Sequence, residues 1–264
     1  MTQILVGCDP EVFVKQNGLF KSAFNLIRGD KKNPQKVRSG AVQVDGMALE
    51  FNIDPAATED EFLFNVTDVF SQMKLMVPTY DVVVSPVAHF DPDHLKAQPA
   101  EALELGCDPD FNAWTGATNP RPDGDRPMRT ASGHIHIGWT QDENIEDMSH
   151  KHRANMVAKQ LDFYLGLPSL EYDADTERRE MYGKAGAVRY KSYGVEYRTL
   201  SNAWLRSEKL TRWAYRNTIA GVKSIMAGES LFDKYGDVQE IINTSNLKEA
   251  RAIIKAENIE VCYG

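Results

Sequence analysis

Glu196 and Arg198 stand two residues apart in Val195-Glu196-Tyr197-Arg198-Thr199, a segment dense in β-forming residues. Side chains alternate faces along a strand, so the carboxylate and the guanidinium share one face. Such a pair either neutralises itself or binds a cation and an anion side by side. Three other segments carry the same device. Asp9 and Glu11 flank Pro10, Glu50 and Asn52 flank Phe51, and His134 and His136 flank Ile135. Adjacent carboxylates repel unless a cation lies between them. Two imidazoles on one face of a strand suit a metal or a phosphate. Asp45-Gly46 reads first as a turn, with a ligand role for Asp45 as the lesser alternative. Glu50 interrupts an apolar strand, and a buried carboxylate needs a partner. Gathered on one surface, these groups form an oxygen-rich site with two imidazoles. That chemistry suits Mg2+ or Mn2+ completed by phosphate oxygens better than zinc.

Strands must carry these groups, and helices must back the strands. The pattern predicts a strand over 3–14, with Pro10 marking an edge or a bulge. A hairpin and a long basic loop follow over 15–40, then two short strands over 41–53. Thr58 to Glu61 is a capping box that opens a helix to about residue 76. One buried strand is expected over 81–90 and a short helix over 100–105. Gly106 to Asp110 echoes Gly7 to Glu11 as an acidic turn. The loop 119–127, with Arg121, Arg126 and Arg129 in or beside it, suits a flap over an anion as readily as a plain surface loop. After the His134 strand, a helix is expected from 143 to about 165. A basic, glycine-rich approach over 177–193 holds Arg178, Arg179, Lys184 and Arg189. Helices are expected over 207–227, 237–242 and 246–257. No repeat or linker divides the chain, so it reads as one domain over 1–264, with the helices from about 207 packed against it.

The 264 residues carry a formal net charge of −8, which gives no general attraction to nucleic acid or to anionic membrane. A hydrophobic fraction of 42% supports a core and argues against disorder. There is no apolar run of about 18 residues to span a membrane, and the first residues do not read as a secretory signal. Cys8, Cys107 and Cys262 cannot all pair and share no C-x-x-C spacing, which points to a reducing cytoplasm. Neither a Walker A sequence nor G-x-G-x-x-G is present, so a nucleotide must bind without a P-loop.

Four segments in order carry a resemblance: Gly7 to Phe13, Asp45 to Asn52, Ser132 to Gly138, and Tyr193 to Asn202. Together they resemble the phage-type carboxylate–amine ligases, or amidoligases, of the glutamine synthetase and glutamate–cysteine ligase superfamily. The resemblance implies an α+β fold: a curved, mainly antiparallel sheet with an active-site concave face, and helices packed on the other face. It implies ATP with Mg2+ or Mn2+, an acyl-phosphate route to an amide, and release of ADP and phosphate. It places Asp9, His134 and Glu196 on the metal nearer the ATP phosphates, and Glu11 and Glu50, with Asp45, on the metal nearer the acceptor carboxylate. His136 would contact ATP phosphate, and Arg189 and Arg198 would steady the transferred phosphoryl group. Lys184 joins them as a candidate nucleotide contact. Asp45 or a loop carboxylate would take the proton from the amine. Superfamily members usually carry Glu-x-Glu where this chain has Asp9-Pro10-Glu11. The implied partners are a small-molecule or peptide carboxylate and an amine, in the host cytoplasm if the chain is phage-encoded, and assembly into a homo-oligomer is compatible with the family. A phosphotransferase on the same fold, a metal-dependent hydrolase and a catalytically idle binding protein stay open as alternatives.

Overall fold

The computed structural model describes residues 3–104, 110–120 and 127–263. The chain opens with strands β1 (Leu5–Cys8), β2 (Glu11–Gln16), β3 (Leu19–Lys21), β4 (Gln35–Val37), β5 (Gly40–Asp45) and β6 (Ala48–Ile53). Helix α1 (Glu59–Met76) follows, then β7 (Asp81–Val83), β8 (Val87–His89) and the short helices α2 (Pro92–Lys96) and α3 (Ala100–Leu103). Strands β9 (Phe111–Asn112), β10 (Met128–Thr130) and β11 (Ile135–Gly138) lead to α4 (Met148–Leu161), which passes through a π-helical turn (Asp162–Gly166) into α5 (Leu167–Ser169). After α6 (Glu177–Met181) come β12 (Ala187–Lys191), β13 (Gly194–Tyr197) and a 3-10 turn (Asn202–Arg206). Helices α7 (Glu208–Met226), α8 (Leu231–Tyr235), α9 (Gln239–Asn243) and α10 (Leu247–Glu257) complete the chain.

The strands form two principal antiparallel sheets rather than one. The first has the order β1-β11-β13-β12-β9; the second has β3-β2-β6-β5-β4, with β7 also paired to β2. A small pair, β8 with β10, stands apart. The strand expected over 3–14 is broken at Asp9-Pro10, and its halves join different sheets. Proline has no N–H to continue a ladder, so the chain turns there. The single buried strand expected over 81–90 is likewise two, interrupted at Ser85-Pro86 and divided between sheets.

Helices cover one face of each principal sheet. Helix α4 packs on β12 and β13, and α1 packs on β5 and β6. The period of two sorts the first sheet cleanly. Ile135, Ile137, Val195 and Tyr197 enter the main core, leaving the alternate positions 134, 136, 196 and 198 to the opposite face. Helix α1 supplies Phe62, Val66, Val69 and Met73 to the same core. Its capping box forms, with Glu61 N donating to Thr58 Oγ1 at 3.2 Å, but the Glu61 carboxylate accepts from Ala57 N rather than from the cap itself. Helix α4 starts later than its periodicity predicts, because Asp147 caps it by accepting from Ser149 N and His150 N. The C-terminal helices build a separate core with Phe163, Leu167 and Ala185, and they include α8, which the sequence reading missed. No described helix is long and apolar enough to cross a membrane.

One buried carboxylate ties the back of the first sheet together. Asp162 Oδ2 accepts from Trp114 Nε1 at 2.7 Å, and Oδ1 accepts from Tyr197 Oη at 2.7 Å and Gly186 N at 3.2 Å. Burial pushes its carboxyl up to about 6, against these hydrogen bonds. Its contribution to stability is therefore complete below the unfolded value of 3.8 and is lost as pH rises through about 6. Asp162→Ala strands three donors and is expected to cost about 3–5 kcal/mol in urea denaturation. Asp162→Asn should flatten the slope of stability between those two pH values; an unchanged slope would show that the carboxyl does not titrate in that range.

Candidate active site

Register sets the site. In the first sheet Arg189, Glu196, His136 and Gly7 lie directly opposite one another across β12, β13, β11 and β1. Directly opposed residues share a face, so Arg189, Glu196 and His136 form one row. A second row, two residues on, holds Arg198 and His134, with Asp9 N reaching the His134 carbonyl at 3.4 Å. In the second sheet Glu11 is opposite Glu50, and Glu50 is opposite Gln43. Arg189, Arg198, His134 and Asp9 from the first set and Glu11, Glu50 and Gln43 from the second line one cleft of about 370 Å³, which also takes in Asp45, Lys31, Lys191 and Tyr182. A second, more apolar cavity of about 730 Å³ is lined by Trp139, Tyr193, Leu5 and Ile53 and meets the first at Asp9 and Glu50.

Glu196 is fully buried and surrounded by cations. Lys191 Nζ lies 2.9 Å and Arg189 Nη1 3.5 Å from Oε2, and Arg198 donates to Oε1. Arg198 is shared further: its Nε donates to Asp110 Oδ2 at 3.3 Å, and its guanidinium lies 5.4 Å from the centre of the Tyr182 ring. Asp9 Oδ1 is 3.0 Å from His136 Nε2 and 3.4 Å from His134 Nδ1. Burial alone would raise the Asp9 carboxyl, but the two imidazoles hold it well below the usual range. Burial and Arg198 push His134 down to about 4, so it is neutral at physiological pH. Burial opposes the charge on His136, yet Asp9 outweighs burial and raises its proton affinity. Tyr193 Oη is hydrogen-bonded to His136 Nδ1, which leaves Nε2 facing Asp9.

The second carboxylate cluster has the opposite electrostatics. Glu11 Oε2 accepts from Ser132 N at 2.8 Å, and Glu50 Oε2 accepts from Gln43 Nε2 at 2.6 Å. Burial, then Asp45 and Asp9, push Glu11 up to about 8. Burial, then Asp9, Asp45 and Glu11, raise Glu50 well above its ordinary value. Like charges directly opposite on two strands are destabilising. Asp45 is paired with Lys31 at 2.7 Å.

These residues fit divalent cations. Oxygens of Asp9 and Glu196 and a ring nitrogen of His136 lie within 4.8 Å of one another. His134 Nε2 is buried without a hydrogen-bond partner, while Asp9 Oδ1, His136 Nε2 and Glu196 Oε2 are held only by the ion pairs already described. A buried ring nitrogen is rarely left so, and a cation among these carboxylate oxygens and imidazole nitrogens would satisfy it. Glu11 and Glu50 make a second place where a positive charge relieves repulsion.

Of the residues singled out in the sequence, Asp9, Glu11, Asp45, Glu50, His134, Arg189 and Arg198 line the first cleft. His136 lines the second cavity, and Glu196 lies beneath, within reach of both histidines. Lys184 is exposed and lines neither cavity. Lys191, which the sequence reading passed over, occupies the cleft instead; it lies two residues after Arg189 on β12, so strand alternation alone could have found it. Arg121 and Arg126, the proposed flap and Cys107 lie outside the described residues. Arg129 is buried on β10 and lines the first cleft.

Part of the chain is similar to a known family. Residues 127–232 match the model of the family described as phage phiEco32-like COOH.NH2 ligase-type 2. No curated protein matched. A solved structure titled "Crystal structure of novel glutamine synthase homolog" superposes with a TM-score of 0.46 at 11% identity, covering 96% of this chain. The chain spans 62% of that structure's length. The family match takes in His134, His136, Arg189, Lys191, Glu196 and Arg198, so over residues 127–232 the chain is similar to the phage phiEco32-like COOH.NH2 ligase family.

Proposed function

We propose that the chain is an ATP-dependent carboxylate–amine ligase that works through an acyl phosphate and releases ADP and phosphate. The single observation that carries this reading is the meeting, in one cleft, of Asp9, His134, Arg189 and Arg198 with the Glu11–Glu50 pair, with Glu196 buried beneath them. In this reading the two sheets form the walls of one concave site. Asp9, Glu196 and the histidines would hold one Mg2+ or Mn2+, and Glu11 and Glu50 a second. Such ions supply charge neutralisation for a polyphosphate and its leaving group.

The chain's own groups account for the remainder. A carboxylate resists attack by an amine until one of its oxygens becomes a leaving group. In the first step a carboxylate oxygen attacks the γ-phosphorus and ADP departs. In the second the amine nitrogen attacks the acyl carbon and inorganic phosphate departs, giving the amide. Arg189, Arg198 and Lys191 would neutralise the transferred phosphoryl oxygens and hold them in line. Lys191, which lines the cleft where Lys184 does not, is the lysine assigned to this role. Asp45, on the wall near Glu50, is positioned to accept the proton lost by the amine. Trp139 and Tyr193 give the second cavity a flat aromatic wall suited to a purine base. Its junction with the cleft at Asp9 would bring the phosphates to the cations. The neutral His134 supports a ligand role, since an imidazolium cannot bind a metal.

The test is product analysis. The purified chain should release ADP and phosphate in equal amounts with Mg2+-ATP and a panel of amino acids and peptides. Release of AMP and pyrophosphate would exclude the acyl-phosphate route, and turnover without ATP would favour a hydrolase.

A further inference from the structure

We propose that Arg178, which lines neither cavity, is the positioning residue that clasps the exit of β13 to the segment fixing Glu11; this rests on the ligase reading above. Arg178 is 1% exposed. Its Nη1 donates to the Thr199 carbonyl and its Nη2 to the Leu200 carbonyl, each at 2.8 Å. Nη2 also donates to Ser132 Oγ at 3.4 Å. A planar guanidinium fork suits two successive carbonyls, which a lysine ammonium cannot match in the same geometry.

Both clasped segments belong to the site. Thr199 directly follows Arg198. Ser132 N donates to Glu11 Oε2 at 2.8 Å, and its carbonyl accepts from Glu11 N at 2.8 Å. Ser132 also bridges Ser201 in an antiparallel sense. One cation thus ties the exit of β13, just past Glu196 and Arg198, to the backbone that orients Glu11, and so links the residues of the two cation positions.

Two further observations show that this placement is built. Gly183 lies on the fork with φ +68°, and a Cβ there would stand 2.4 Å from both terminal nitrogens. Among the described residues the donors of Arg178 go to carbonyls and a hydroxyl rather than to a carboxylate. A buried ion is an expensive way to fill space, since an apolar side chain of similar volume is often as stable or more so. Stability alone therefore does not account for an arginine at 178; alignment of the two ligand segments does. Burial lowers the guanidinium only to about 10, so the clasp stays charged at neutral pH.

The experiment titrates Mn2+ into nucleotide-free protein and follows free Mn2+ by electron paramagnetic resonance. Wild type, Arg178→Lys, Arg178→Gln and Gly183→Ala are compared below their melting temperatures, with circular dichroism to confirm folding. Both Arg178 variants should bind Mn2+ about 10–100-fold more weakly. Gly183→Ala should weaken it in the same direction, because its Cβ displaces the fork while keeping the charge. A purely structural role would lower the melting temperature and leave the affinity of the folded protein unchanged. Wild-type affinity in folded Arg178→Lys overturns the proposal while the ligase reading stands. Absence of Mn2+ binding by wild type overturns both. If the Arg178 variants do not fold, Gly183→Ala decides, and wild-type affinity there overturns the proposal.

Discussion

Glu196→Gln should reduce ligation by about 10³-fold or more, a loss on the scale of removing a central electrostatic group from a dry site. Glu196 has no exposed surface and stands where Arg198, Lys191 and Arg189 converge. An amide of the same shape offers one weak acceptor in place of a charge shared by three cations. Mn2+ affinity should fall with turnover, because the oxygen within reach of Asp9 and His136 is the one altered. The metal-free protein should also lose about 3–5 kcal/mol, since removing one partner of a buried ion pair leaves uncompensated charge. Turnover and urea denaturation on the same preparation check both effects. Glu196→Asp, which keeps the charge and shortens the reach, should recover the stability but little of the activity. Wild-type turnover in Glu196→Gln would remove the row of opposed charges from the chemistry.

Glu50→Gln should have effects of opposite sign on stability and on metal binding. Glu11 and Glu50 are direct cross-strand partners, and both carboxyls are raised, Glu11 to about 8. A raised carboxyl contributes fully below its unfolded value of 4.5, and that contribution is lost as pH rises through about 8 for Glu11. The metal-free fold is therefore strained by like charge at pH 8 and relaxed at pH 5. Neutralising Glu50 should stabilise it by about 1–3 kcal/mol at pH 8. The same change removes a candidate ligand, so Mn2+ affinity should drop at least about 10-fold. Thermal melts with and without Mn2+ at the two pH values are the measurement. Wild type should gain more from Mn2+ at pH 8 than at pH 5, and the variant should gain less at both. A variant less stable than wild type at pH 8 without metal would show that the pair does not repel.

The candidate site was legible where chemistry and strand period coincided. His134 and His136 alternate with Ile135 and Ile137, and Glu196 and Arg198 with Val195 and Tyr197, so facing followed from the sequence alone. Register did not follow. Nothing local says that Arg189, Glu196 and His136 stand in one row, because that depends on where one hairpin and one long-range pairing begin. For the same reason the sequence points to Lys184 as a nucleotide contact and not to Lys191, although only the latter is on β12 and lines the cleft. Pro10 was visible as an interruption, but its effect, a change of sheet, required tertiary context. The π-helical turn at Asp162 leaves no mark in an amphipathic period and emerges only from packing against Trp114, Tyr197 and Gly186.

The break at Asp9-Pro10 has a mechanical consequence. The ends of β1 and β2 belong to different sheets, yet their two carboxylates are tethered by a single intervening residue. Consecutive α-carbons are about 3.8 Å apart whatever the packing, and the pyrrolidine ring removes most of the remaining torsional freedom at that joint. The span between the α-carbons of Asp9 and Glu11 is thus capped by covalent bonds at about 7 Å, like a short tether between two movable plates. If the sheets shift against each other during a catalytic cycle, they can pivot about this joint while the two residues stay within that span.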